Sequence, residues 1–219
     1  MDTDNINLIA VLKQTTNGDK KYRNNKNRTT PESLLSLGYK YDDKLSISNT
    51  LLFYKEDVKK MILIFDGLDG KLSDNFRENY IMYFGNFVDY LIQTDIQVNN
   101  LMEKIKEIYK DYKKICIGYS LGGFYLSKYI DNNFLNGYIY NGVFVKKCDN
   151  VINYVNNIDF LTLSSCIYGF DNISLIKNTQ LLNFLLNNNF NLRNYKSHLL
   201  TYTHLLDSVK EDEIPYIIF

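Results

Sequence analysis

The 219-residue chain has two prolines, no tryptophan, two histidines and three cysteines, and its 25 basic residues are matched by 25 acidic ones. Each scarcity excludes something. The cysteines (Cys116, Cys148 and Cys166) are odd in number and too few for a disulfide framework, so the chain reads as a protein of a reducing compartment. Zero net charge argues against a dedicated nucleic-acid binder, which needs a basic surplus to displace counterions from phosphates. Two histidines, His198 and His204, with no spaced cysteine pair make no case for a metal. No phosphate loop or dinucleotide fingerprint implies a cofactor. The longest apolar runs, such as Met61–Phe65, fall far short of the roughly 20 residues that span a bilayer, so any membrane contact would be peripheral. The opening Met1–Ala10 starts acidic and builds no apolar stretch of signal-peptide length, which points to the cytoplasm.

What is present is enough to fold. Hydrophobic residues at 45 % and aromatics at 15 % exclude a disordered chain. A chain of this length buries roughly 70 % of its unfolded surface as one domain without staples. Between Lys13 and Arg28, six cations face only Asp19 and no apolar period appears. That run predicts a flexible arm, with contact to a polyanion or membrane as the alternative. Pro31 then opens a short helix in PESLLSLGY, with Thr30 as its cap and Glu32 in its first turn. Residues 1–34 are thus read as arm and short helix, and residues 35–219 as the folded domain.

From residue 50 onward, strand and helix patterns alternate. TLLFYKE (50–56) and MILIF (61–65) predict a hairpin. TDIQVNNLMEKIKEIYKDYKK (94–114) predicts a helix, with Ile96, Leu101, Ile105, Ile108 and Tyr112 at helical spacing. KICIGY (114–119) reads as a buried strand and LGGFYLSKYI (121–130) as the helix after it. GYIYNGVFV (137–145), IDFLTLS (158–164) and the closing IPYIIF read as further strands. The expectation is an α/β protein with a mostly parallel central sheet.

The sharpest chemical signal is Gly118-Tyr119-Ser120-Leu121-Gly122-Gly123, between a predicted strand and a predicted helix. That is the setting of a nucleophile elbow. The serine has to sit on a tight, strained turn that lifts its hydroxyl above the sheet edge. Gly118 and Gly122, two before and two after, let strand and helix approach without a Cβ clash. The backbone N–H of Leu121, in the first helical turn, is available to an oxyanion. A serine nucleophile needs a base, and an acid between serine and histidine in this chain order. Asp159, opening an apolar β-run, fits the acid, with Asp171 and Asp149 as alternatives. His204 fits the base, with His198 as the alternative. The loop Phe65-Asp66-Gly67-Leu68 after MILIF would supply the second oxyanion donor. Cys116, on the elbow strand, reads as core. Tyr80, Tyr83, Phe84, Phe87 and Tyr90 read either as core or as the lining of an acyl-binding cleft.

In order along the chain, these stretches resemble a class-three, fungal-type lipase domain of the α/β-hydrolase superfamily. Phe65-Asp66-Gly67-Leu68 is similar to that family's Phe-Arg-Gly-Thr oxyanion loop, and residues 118–123 to its Gly-His-Ser-Leu-Gly-Gly elbow. Asn156-Asn157-Ile158-Asp159 resembles its acid segment, and Tyr202-Thr203-His204 its Tyr-x-His segment. The resemblance covers residue 35 or so to the end. SLLSLGYKYDDKLSISNTLLFYKED and the stretch from Gly67 to Gly85 further resemble short lipase-like proteins of large DNA viruses.

The resemblance implies a three-layer α/β-hydrolase-like sandwich that cleaves acyl esters or lipids. Ser120 would be the nucleophile, His204 the base and then acid, and Asp159 the group that orients the imidazole. The N–H groups of Leu68 and Leu121 would form the oxyanion hole. It also implies a setting in host cytoplasm or a virion. Three departures stand out. Leu68 replaces a threonine whose hydroxyl would be a further donor, and one such donor is worth about 2.7–4 kcal/mol. Asp66 replaces an arginine, and the acid segment lacks its prolines. These departures motivate a second reading: a protein of the same fold with weak or no catalysis, serving as a structural or binding component. A thioesterase or peptidase on this fold is a third.

Overall fold

The computed structural model describes residues 3–16, 31–47, 49–67, 82–131, 133–156, 173–176, 214 and 216–219. In chain order these form β1 (Asn5–Ile6), α1 (Leu8–Thr16), α2 (Glu32–Ser36), β2 (Lys40–Tyr41), β3 (Thr50–Lys55) and β4 (Lys60–Phe65). There follow α3 (Met82–Ile108), β5 (Lys113–Tyr119), α4 (Leu121–Tyr129), β6 (Asn136–Tyr140), β7 (Val151–Asn156), β8 (Ile173–Ile176) and β9 (Ile217–Ile218).

The hairpin expected from 50–65 is present, with Thr50 opposite Phe65 and Lys55 opposite Lys60. It is the antiparallel edge of a seven-stranded sheet ordered β2-β3-β4-β5-β6-β7-β8. From β4 to β8 every pairing is parallel. β5, which leads into the elbow, is therefore central, and the C-terminal ends of β4 through β8 share one edge.

Strand alternation sends successive side chains to opposite faces. Ile62 and Ile64 of β4, with Ile115, Ile117 and Tyr119 of β5, meet Leu8, Ile9, Val11 and Leu12 of α1 and Leu34 of α2. Met61, Leu63 and Phe65, with Cys116, meet Val98, Leu101, Met102 and Ile105 of α3 and Tyr125 and Leu126 of α4. Strands added in one direction through right-handed crossovers put α3 and α4 on the same face. The result is helix, sheet and helix in three layers.

Several local readings change. Ile6, Leu8, Ile9, Val11 and Leu12 are buried core rather than arm, and Lys13 lies in the last turn of α1. β1 pairs with β9, which brings the two ends of the chain together. The capping position of α2 is Pro31 itself, while Thr30 lies outside the described residues. α3 begins at Met82, twelve residues before the predicted start, and among its described side chains Val98, Leu101, Met102 and Ile105 form the buried apolar side. Ile96 and Ile108 are more than half exposed: Ile96 stands off the i, i+3, i+4 stripe that meets the sheet, and Ile108 is the last residue of the helix, at the margin of that stripe. The predicted strand 137–145 stops at Tyr140, where Asn141 takes a positive φ of 45° at an Asn-Gly turn. A strand not predicted, β7, occupies 151–156, whereas 158–164 lies outside the described residues. Among the described residues no helix is long and apolar enough to cross a membrane.

Candidate active site

Ser120 is the single residue between β5 and α4, and its backbone stands at φ 51° and ψ −121°. This is the first central position of a type II′ turn, which glycine normally fills. A side chain there is strained, and such strain persists only where neighbouring contacts fix it. Here the Ser120 N–H donates to the Tyr140 carbonyl at the end of β6 (3.2 Å). The Ser120 carbonyl accepts from the N–H groups of Gly123 (3.0 Å) and Val143 (3.1 Å). Both peptide groups of the serine are thus held by the helix it starts and by the exit of the adjacent strand.

The two elbow glycines do different work. A Cβ on Gly122 would run into the Phe65 carbonyl, lying 2.6 Å from its carbon and 2.7 Å from the Asp66 oxygen, all main-chain atoms. The first turn of α4 therefore lies directly against the exit of β4. A Cβ on Gly118 would meet the Leu126 Cδ1 at 3.2 Å and the Gly122 main chain at 3.3 Å, which is tight but not prohibitive. The close crossing at Gly122 also brings the β4 exit to the serine: a Cβ on Gly67 would stand 3.2 Å from the Ser120 Cβ. The loop proposed from sequence to supply an oxyanion donor is beside Ser120 up to Gly67. Leu68, the next residue, lies outside the described residues. The Asp66 N–H is fixed on the Asn49 carbonyl (2.8 Å), and its carboxylate accepts from the Gly67 N–H (2.7 Å). The Leu121 N–H, at the start of α4, has no acceptor one turn earlier, as in any first helical turn.

Tyr119 is buried and stacked on Tyr140 at a centroid distance of 6.3 Å, a packing position. Cys116 is fully buried, and burial pushes its thiol well above the ordinary value, so it is core and not a nucleophile. Asp95 accepts from Lys128 Nζ (2.6 and 2.7 Å) and from the Tyr129 hydroxyl (2.7 Å), tying α3 to the helix that carries the elbow.

Of the three candidate acids, Asp149 falls away. It is exposed and lies two residues before β7, at the sheet edge opposite Ser120. Asp159, Asp171, His198 and His204 lie outside the described residues, as do the side chains of Tyr80, Tyr83, Phe84, Phe87 and Tyr90. Among the described residues no group of His, Cys, Asp and Glu could hold a metal ion.

One residue near the serine carries no sequence motif. Asn153 of β7 is buried, and its side chain grips Gly142 twice, accepting from the N–H (3.1 Å) and donating to the carbonyl (3.4 Å). It thereby fixes the turn whose next N–H, that of Val143, holds the Ser120 carbonyl. A polar residue inside an otherwise apolar VINYV run is the signal that could have found it.

No family model matches the chain. No curated protein matches it either. Among solved structures, a fungal lipase determined in complex with an inhibitor is similar over 94 % of this chain and 100 % of its own. The identity is 15 % and the TM-score 0.40. The sheet order, the helical layers on both faces and the elbow after the central strand make this an α/β-hydrolase-like three-layer fold.

Proposed function

We propose that the protein is a serine hydrolase of carboxylic esters, acting on acyl esters or lipids through an acyl-enzyme on Ser120. The carrying observation is the φ 51°, ψ −121° conformation of Ser120 at the C-terminal end of the central parallel strand. A strained serine there, with the helix start and the β4 exit against it, has the form of an activated nucleophile. In this reading Ser120 Oγ attacks the ester carbonyl carbon while His204 takes its proton. The Leu68 and Leu121 N–H groups bind the oxyanion. Collapse breaks the acyl C–O bond, and His204 returns the proton to the departing alcohol. Water, deprotonated by His204, then attacks the acyl-enzyme and releases the acid.

Asp159 is the preferred acid because it follows Asn156, the last residue of β7, by three positions. The end of β7 lies at the sheet edge that carries Ser120, and three residues of chain span at most about 10 Å. Asp171 precedes Ile173 by two positions in the sequence, and β8 starts at the edge opposite Ser120, so it is the less favoured choice. The resemblance of residues 33–57 and 67–85 to viral lipase-like proteins supports a setting in host cytoplasm or a virion.

Ser120→Ala is expected to lower hydrolysis of a short p-nitrophenyl ester about a thousandfold or more while leaving the fold intact. Equal rates for parent and variant would overturn the reading. The Asp66 carboxylate, seated on the Gly67 N–H beside Ser120, favours a second reading in which its charge opposes the oxyanion and catalysis is weak.

A further inference from the structure

The loop leaving β6 carries a side chain that the chemistry above does not use. Phe144 is 60 % exposed and holds φ at 54°. A bulky residue at positive φ is an outlier, and an exposed ring recovers little of that cost by packing. Glycine or asparagine would suit the backbone better. Nor is the segment loose. The Asn141 N–H donates to the Tyr154 carbonyl (2.9 Å), and Asn153 grips Gly142 at both peptide groups. The Val143 N–H donates to Ser120, Val145 is buried, and the Lys146 N–H donates to the Ser127 Oγ (2.9 Å). The ring is therefore held exposed by a backbone fixed on both sides of it, one residue from a direct bond to the serine's own carbonyl.

We propose that Phe144 is an apolar contact for the acyl chain of the ester attacked at Ser120, and this rests on the hydrolase reading above. The occupant follows from place and size. Phe144 follows directly on Val143, whose N–H holds the serine's carbonyl at 3.1 Å, and its exposed ring offers only hydrocarbon. A single side chain is also far below the roughly 800 Å² per partner that a stable protein interface buries, which disfavours a second copy of this chain.

The test uses two fluorophosphonates, one with a methyl and one with a dodecyl chain, and reads their rate constants for labelling Ser120 in the full-length protein. In Phe144→Gly the ratio of dodecyl to methyl rates is expected to fall about tenfold, as apolar contacts of this size discriminate. Phe144→Leu is expected to keep most of the ratio. Because glycine suits the positive φ, the melting temperature of Phe144→Gly is expected at or above the parent's. An unchanged ratio with the parent well labelled would overturn the inference and leave the hydrolase reading standing. A lower melting temperature would show that the ring packs within the protein, and loss of a dimer in Phe144→Gly would show that a second copy covers it; either overturns the inference. A parent labelled by neither probe would remove both readings together.

Discussion

Gly122→Ala is expected to destabilise the protein by about 3 kcal/mol or more and to abolish labelling of Ser120. The added methyl has no room: it would collide with the Phe65 carbonyl and sit 2.7 Å from the Asp66 oxygen, and no flexible side chain is available to yield. Phe65 is fully buried and paired on both sides, with Thr50 of β3 and Gly118 of β5. Moving it would disturb the centre of the sheet, while moving the helix start would displace Ser120. Overpacking in a rigid core typically costs 1–3 kcal/mol and more where backbone must shift. Gly118→Ala is the internal comparison. Its nearest neighbour would be the Leu126 methyl at 3.2 Å, which can give way, so about 1 kcal/mol is expected. Thermal unfolding of the two variants side by side checks this, and equal losses would contradict the crossing described above.

Asp4→Asn is expected to cost about 3 kcal/mol at neutral pH and to leave the elbow untouched. Asp4 is 7 % exposed and accepts from Lys60 Nζ (2.9 Å) and the Tyr39 hydroxyl (2.9 Å), with Lys55 Nζ at 3.4 Å. Its main chain is tied to Phe219 in both directions, at 2.7 and 3.0 Å, and Lys60 also donates to the Phe219 oxygen (2.6 Å). Lys60 opens β4, so this cluster closes the sheet edge opposite Ser120. Removing the carboxylate charge leaves the buried Lys60 ammonium, and the half-buried Lys55 beside it, without their counterion, the costly way to break such a pair.

The pH dependence follows from the carboxyl's shift. Burial alone would raise the pKa of Asp4, but the hydrogen bonds from Lys60 and Tyr39 and the charges of Lys60 and Lys55 outweigh it and hold it below 3.8. A carboxyl depressed in the folded state contributes stability above its unfolded value and loses it as the pH falls through the folded one. The gap between parent and Asp4→Asn in denaturant unfolding is therefore expected to be full at pH 7 and to shrink below about pH 4. A gap that stays constant down to pH 2.5 would contradict this assignment.

The centre of the fold was legible because its strands are continuous apolar runs. MILIF and KICIGY can only be buried, and the Gly-x-Ser-x-Gly between KICIGY and an amphipathic stretch marks the turn. Legibility failed where polar residues do structural work inside the core. Asn153 interrupts VINYV and hid β7, although that asparagine is what holds Gly142. The Asn141-Gly142 turn reads as strand because apolar residues flank it on both sides. α1 was hidden by Lys13 and the basic run beyond it, though Leu8 to Leu12 carry a buried stripe. The choice among acids needed the sheet: only parallel strand direction assigns Asp149 to the wrong edge.

An activated Ser120 reacts with a fluorophosphonate where ordinary surface hydroxyls do not, so mapping the labelled residue decides whether the serine is a nucleophile. Full-length protein treated with a methyl fluorophosphonate should acquire one adduct, on Ser120, with fluoride as the leaving group. The adduct should be absent in Ser120→Ala and slowed at least a hundredfold in His204→Ala. No adduct on the folded parent, or modification spread evenly over surface hydroxyls, would contradict an activated serine and leave a hydrolase-like fold without a hydrolase's chemistry.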